Sequence, residues 1–278
     1  MARAENKVTA GPTAQMVANL ARKLRVRKGW TQEQLGNEIG FSGAAVSAME
    51  TLAQPASDQM LVELERVLGD GMAIFEDART SVRLEKYPEQ FKDFAPMEQS
   101  AVVLQMYETL VVNGLFQTEE YARALIGGAY PPLSQQRVQD LVQARMERRA
   151  IFDRAPVATI ELILEESVLR RAIGSPDTMR AQLQHLAEYA CRRNVTLHVL
   201  PLDCGLCGEH AGDNGGMTLL ETPEHDRLVY LEIQYESLLI SDPAKVSTFT
   251  QRYARIRAQA LSTRESLGLI EELAGEQR

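Results

Sequence analysis

The chain has 278 residues, 45% hydrophobic and 24% charged, a balance near the soluble globular average that excludes wholesale disorder. No run of 18 apolar residues occurs and the start, Met1-Ala-Arg-Ala-Glu-Asn-Lys7, lacks a secretory core, so neither a membrane span nor export is expected. The net charge of −8 argues at first against a nucleic-acid partner, yet residues 1–70 are neutral, with eight basic and eight acidic side chains, and the whole excess falls on the rest.

Residues 1–13 are polar, contain Gly11-Pro12 and show no period, which reads as a loose arm. From Ala14 to about Phe75 apolar residues recur at helical spacing: Met16, Val17, Leu20 and Leu24, then Leu35 and Ile39, then Val46 and Met49, then Met60, Leu61, Leu64, Val67 and Leu68. Breaks at Gly29, Gly40, Gln54-Pro55 and Gly69-Asp70-Gly71 divide this stretch into four short helices. The first carries five basic residues in seven positions: Arg22, Lys23, Arg25, Arg27 and Lys28. Such a stripe suits phosphate or plain solvent alike. Residues 76–95 read as a charged connecting helix, interrupted near Pro88 and closed by Pro96. Beyond it the texture changes. β-like runs at Ala101–Val112, Val157–Leu164, Val195–Leu202, Gly216–Glu221 and Arg227–Ile240, the last a hairpin, mix with helices at Thr118–Ile126, Ser134–Phe152, Glu165–Arg171, Pro176–Arg192, Pro243–Leu261 and Arg264–Leu273. The fold class is therefore an all-α N-terminal domain of four to five short helices over 14–75, followed by an α+β domain over 96–278.

The segment from Gln32 to Thr51 carries the most information. Two helices joined steeply by a tight turn need particular residues at fixed offsets. Gly40 suits the positive φ of the turn, and Gly36, four residues earlier, leaves room for the second helix to approach the first. Leu35, Ile39, Phe41, Val46 and Met49 supply a shared apolar face, and Thr31 with Gln34 has the spacing of a capping box. This pattern resembles the phage-repressor-like helix-turn-helix regulators of the Xre family, across about residues 14–75. The resemblance implies that Ser42 to about Thr51 is the recognition helix, entering the major groove of double-stranded DNA by its N-terminal end with Ser42, Gly43, Ala44, Ser47 and Ala48 toward base edges. It implies that Gln32 holds a phosphate and braces that helix, and that Arg25 and Glu50 form an ion bridge between the first and third helices. Arg27 and Lys28, with Arg22 and Lys23, are candidates for phosphate contact. The helix departs from the family in holding no Arg, Asn, Gln or Lys ahead of Glu50, which leaves two serines, alanine methyls and groove shape to read the site. A second departure is Thr51-Leu52-Ala53, where the family has a polar residue and then glycine.

In the second domain, the run from Tyr107 to Leu125 is similar to a signature of a large actinobacterial regulator family that joins an Xre-type N-terminus to a C-terminal domain of uncharacterised function. Further matches are Arg145-Met-Glu-Arg-Arg149, Leu164 to Arg171, Asn194 to Pro201 and Val229 to Glu232; Asn113 stands where the family has proline. The resemblance implies an antitoxin-like transcription regulator paired with a small protein from a neighbouring gene. The residues themselves offer little chemistry. Glu165 and Glu166 are adjacent, so they read as first-turn acids and not as a dyad. Arg145, Arg148 and Arg149 suit an anion or, more readily, a solvated helix face. One cluster has metal-ligand spacing: Cys204 and Cys207 as a C-x-x-C pair with His210 close behind, which suits zinc, free loop thiols or a redox pair. Three cysteines in all do not make a disulfide scaffold and fit a reducing cytoplasm. The resulting expectation is a cytoplasmic, dimeric, sequence-specific DNA-binding regulator, not an enzyme, with no cofactor beyond possible zinc. Its rival is an antitoxin-like interaction module that neutralises a small partner and binds DNA secondarily.

Overall fold

The structure, a computed structural model, describes residues 12–84, 91, 94–206, 210–234 and 236–276. The chain divides into two compact units, Met1–Glu89 and Gln90–Arg278.

The first unit is helical: α1 (Pro12–Arg27), α2 (Gln32–Ile39), α3 (Gly43–Glu50), α4 (Asp58–Leu68) and α5 (Ile74–Leu84). The helices share one core in which Val17, Ala21, Leu35, Ile39, Val46, Met49, Leu61, Leu64 and Leu68 are buried. Each helix is too short to persist alone, so burial of these apolar stripes holds the unit together. Ser57 caps α4 by accepting a hydrogen bond from the Met60 N–H at 3.2 Å. The helix expected to connect the domains begins differently. Phe75 and Ala78 of α5 are buried in this same core, so α5 is a fifth helix of the N-terminal unit. It packs against α1 and α4, which the exposed charges of Glu76 and Asp77 conceal in the sequence. The expected break near Pro88 lies outside the described residues.

The second unit contains α6 (Phe94–Ser100), β1 (Val103–Glu108), α7 (Glu119–Gly127), α8 (Gln135–Glu147), β2 (Thr159–Glu165), α9 (Glu166–Arg170), α10 (Pro176–Ala190), β3 (Val195–Leu200), β4 (Met217–Glu221), β5 (Arg227–Ile233), β6 (Glu236–Ile240), α11 (Pro243–Gln259) and α12 (Thr263–Glu276). The strands form one mixed sheet in the order β3-β2-β1-β4-β5-β6. β1, β2 and β3 are parallel, joined by helical crossovers as parallel pairing demands; β4, β5 and β6 continue antiparallel. β2 is buried along most of its length, as a strand covered on both faces should be. One face of the sheet, with Tyr107, Ile163, Leu200, Met217, Leu219, Val229 and Ile240, packs against Val246, Tyr253 and Ile256 of α11. On the other face Phe94 stacks on Tyr230, with ring centroids 4.0 Å apart. The segment Ser134–Phe152, expected as one helix, is α-helical only to Glu147 and then tightens into a 3-10 turn. There the Arg148 carbonyl accepts a hydrogen bond from Gln99 Nε2 at 3.0 Å.

Candidate nucleic-acid interface

The turn between α2 and α3 is built from the residues that the spacing singled out. Thr31 Oγ1 accepts from the Gln34 N–H at 3.1 Å, and Gln34 Oε1 accepts from the Thr31 N–H at 2.8 Å, a reciprocal cap that starts α2. Gly40 ends α2 at φ +73°, in the left-handed region that favours glycine. A Cβ on Gly36 would stand 2.6 Å from the Phe41 carbonyl oxygen and 3.0 Å from the Gly43 nitrogen. The backbone of the turn therefore lies directly on the Gly36 Cα, and only glycine permits the approach.

Ser42 caps α3: its Oγ accepts from the Ala45 N–H at 3.1 Å, and the helix proper begins at Gly43. Ser42 and Ala44 are exposed and Ser47 and Ala48 half-buried, whereas Val46, Met49 and Glu50 face the core. The outward side of α3 thus consists of Ala44, Ser47, Ala48 and Thr51, at the i, i+3, i+4, i+7 spacing of one helix face. Gly43 is only partly available: a Cβ there would lie 3.0 Å from the Glu33 Cα, so its Cα side is turned onto α2. Thr51 folds its hydroxyl back onto the Ser47 carbonyl at 2.7 Å. Leu52, which stands in the glycine position of the resembled pattern, adopts φ +60°. A leucine in the left-handed region carries strain of about 1–2 kcal/mol, offset here by packing of its side chain against the helical core.

A buried ion pair fixes α3 to α1. Arg25 donates from Nε to Glu50 Oε1 at 2.6 Å and from Nη2 to Oε2 at 2.9 Å, with side-chain exposures of 11% and 2%. Arg25 Nη1 also donates to the Trp30 carbonyl at 2.6 Å, so one guanidinium ties α1, the loop after it and α3. Gln32 Nε2 donates to Glu50 Oε2 at 2.8 Å and retains a second N–H. Burial pushes the Glu50 carboxyl pKa up, but hydrogen bonds from Arg25 and Gln32, aided by the charges of Arg25 and Arg22, bring it below the usual carboxylate range. Gln32 therefore braces α3 through Glu50 with one N–H, and Glu50 leaves its other N–H unused.

The basic residues divide by role. Arg22, Lys23 and Arg27 are exposed. Lys28 places its ammonium 2.7 Å from the Val67 carbonyl and over the Trp30 ring at 5.1 Å, where it complements the C-terminal end of α4. Arg22 lies three residues before Arg25, at the spacing of helical neighbours, and its charge helps to lower the Glu50 pKa.

In the second unit the three arginines expected on a solvated helix face turn inward instead. Arg148 forms a buried bidentate pair with Glu98 at 2.6 and 2.7 Å, and Arg145 Nη1 donates to Gln117 Oε1 at 2.8 Å. Arg149 Nε and Nη2 are buried without a hydrogen-bond partner among the described residues. Arg148 and Arg145 both lie against the loop after β1, where a Cβ on Gly114 would stand 3.0 Å from Arg148 Nη1 and 3.5 Å from Arg145 Nε. Glu165 precedes α9 and Glu166 sits in its first turn, paired with Arg170 at 2.7 Å. Of the metal-like cluster, Cys204 is half-buried and His210 packs its ring near Gly205, with Nδ1 buried and unpartnered; Cys207 lies outside the described residues. Among the described residues no three His, Cys, Asp or Glu side chains gather in a metal-holding group. No helix among them is long and apolar enough to cross a membrane.

Comparison with known families matches residues 22–69 to a family described as Helix-turn-helix and residues 91–272 to one described as Domain of unknown function (DUF5753). Comparisons with curated proteins and with solved structures returned no match.

Proposed function

The chain belongs to the DUF5753 family and carries a helix-turn-helix unit ahead of that domain, and from this we propose that it is a dimeric, sequence-specific transcription regulator acting in the cytoplasm. One observation carries the reading. α3 presents Ala44, Ser47 and Ala48 outward while Arg25, Glu50 and Gln32 lock it to α1 from behind. A helix held this firmly meets a groove without losing further conformational freedom, which is what a DNA-reading element requires. Affinity comes mainly from phosphates, through Gln32, Arg22, Arg27 and the first N–H groups of α3, while Ser42, Ser47 and the alanine methyls discriminate bases. The two recognition helices of a dimer are spaced by about one DNA turn, roughly 34 Å, or a multiple of it. The second unit senses a ligand or holds a partner and carries out no catalytic step.

The test is footprinting of genomic fragments with purified full-length protein, starting with the region upstream of its own coding sequence. Protection of a discrete, two-fold-related site is the expected result. Uniform weak retention of all fragments, abolished together by salt, would overturn the reading, as would co-purification of a small protein with no protected DNA.

A further inference from the structure

We propose that β6 is the homodimer contact: two copies of the chain join their sheets edge to edge, antiparallel, across a two-fold axis at Leu238. The inference rests on the dimeric regulator proposed above and assigns the surface that makes it a dimer.

The argument starts from the two edges of the sheet. The outer edge of β3 is closed by the chain itself: the Val199 N–H donates to Ser266 Oγ at 2.9 Å, and the Val199 carbonyl accepts from the Leu261 N–H at 2.8 Å. Thus Leu261 and Ser266 occupy both outward backbone groups of Val199 and stand where another strand would pair, while the Val195 N–H is taken by the Arg192 carbonyl at 3.2 Å. β6 is treated differently. It pairs with β5 along Ile233↔Glu236 to Val229↔Ile240, and among the described residues no backbone hydrogen bond leaves its other side. Edge strands that must stay single are defended by lysine, proline, an inward charge or a bulge. The sequence Glu236-Ser-Leu-Leu-Ile240 has none of these at its centre, and its register with β5 is unbroken. Its apolar residues are also open: Leu238 is 49% and Leu239 38% exposed, and neighbouring Ile233 58%.

The strand suits a second copy of itself. With antiparallel pairing centred on Leu238, that residue meets the partner's Leu238 on the face of the sheet that carries α11. Ser237 then meets the partner's Leu239, and Glu236 the partner's Ile240. The two Glu236 carboxylates fall at opposite ends of the pair. Moving the centre one residue, to Leu239, would set Glu236 against the partner's Asp242, two like charges directly opposite, which disfavours that register. A single free edge also dictates closure. Once β6 is paired with itself, the joined sheet has a covered β3 at both ends, so the assembly stops at a two-fold dimer and does not grow into a filament. Two five-residue strands bury less than the roughly 1,200–2,000 Å² of a stable specific interface. The exposed Ala244, Ser247 and Thr248 at the start of α11, directly after β6, are placed to join it.

The experiment uses the full-length protein without DNA. Sedimentation should give a dimer at micromolar concentration, and Leu238→Lys, which sets an ammonium against its own copy, should give a monomer with an unchanged far-UV spectrum. In a Cys191→Ser, Cys204→Ser, Cys207→Ser background, L238C should cross-link into a dimer on oxidation, whereas I233C, far from the axis, should not. The cross-link keeps the test decisive if Leu238→Lys fails to fold. A monomer in the unsubstituted chain overturns the inference. So does a dimer that forms no L238C cross-link, or a small protein bound in place of the second copy and released by Leu238→Lys. Because every readout is taken without DNA, an intact β6 dimer that protects no DNA site would refute only the regulator reading.

Discussion

Substituting Glu50 by glutamine keeps the shape of the side chain and removes its charge. The carboxylate accepts three hydrogen bonds, from Arg25 Nε, Arg25 Nη2 and Gln32 Nε2. An amide has one acceptor oxygen, so its NH2 must face at least one of these donors, and Arg25 remains as a buried cation without a counter-charge. Breaking one partner of a buried pair costs about 3–5 kcal/mol; because the amide keeps one bond, about 3 kcal/mol is the expectation here. A domain of this size is stable by about 5–15 kcal/mol and shifts by about 4–8 °C per kcal/mol, so the melting temperature of the N-terminal unit should fall by about 12–24 °C. Trp30 is the only tryptophan and its carbonyl accepts from Arg25, so its fluorescence during urea or thermal unfolding of the full chain follows this unit specifically. The double substitution Arg25→Met/Glu50→Met should recover most of the loss, since it removes both charges together. A cost below about 1 kcal/mol for Glu50→Gln would place the pair with ordinary surface bridges and refute the reasoning. A double mutant as damaged as the sum of the singles would refute it equally. The pH dependence has a definite sign. The folded pKa of Glu50 lies below its unfolded value, so its stabilisation is complete above the ordinary carboxylate range, near pH 4.3, and is lost as pH falls through the folded value. Glu50→Gln should abolish that part of the acid sensitivity.

Gly36→Ala should destabilise the same unit by about 2–3 kcal/mol, because the new methyl meets backbone that cannot move aside; a loss under about 1 kcal/mol in the Trp30 transition would contradict the close approach. Arg27→Ala should weaken operator and random DNA by similar factors and lower the salt slope by about 0.9, whereas Ser47→Ala should narrow the gap between them by about 1–3 kcal/mol at unchanged slope. If Ser42 and Ser47 can both become alanine without loss of operator preference, α3 is not the reader. Burial raises the Glu108 carboxyl pKa to about 7, so its ionisation opposes folding, a cost absent below the unfolded pKa and complete above pH 7. Glu108→Gln should therefore raise the melting temperature more at pH 8 than at pH 5, and equal gains at both would count against it. Any metal in protein prepared without chelator should be zinc on the Cys204, Cys207 and His210 loop; less than about a tenth of an equivalent by elemental analysis returns these residues to free thiols and an unliganded imidazole.

The helix-turn-helix was legible because its signals are local. The Thr31–Gln34 cap and the left-handed Gly40 each involve residues within four positions, and hydrogen bonds that short depend on little beyond the residues that make them. Which residues of α3 face outward was implied by the family resemblance, and the helical spacing of Ala44, Ser47 and Ala48 agrees with it. The Arg25–Glu50 bridge spans 25 residues and no local pattern implies it; family resemblance suggested it, and the packing of α1 on α3 makes it. Likewise the strands were visible as apolar runs, but their order was not. β1, β2 and β4 are all rich in buried apolar residues, so their composition does not distinguish a neighbour on one side from a neighbour on the other. The crossover helices decide it, by setting β1 between parallel β2 and antiparallel β4. The inward turn of Arg148 needed Glu98, fifty residues away, and the difference between a closed β3 edge and an open β6 edge needed α12. Short-range hydrogen bonding and periodicity thus determine elements and caps from sequence alone. Which charge is buried, which edge stays free and which face is left for another molecule are settled only by the tertiary contacts, because each depends on what distant segment arrives there first to exclude water.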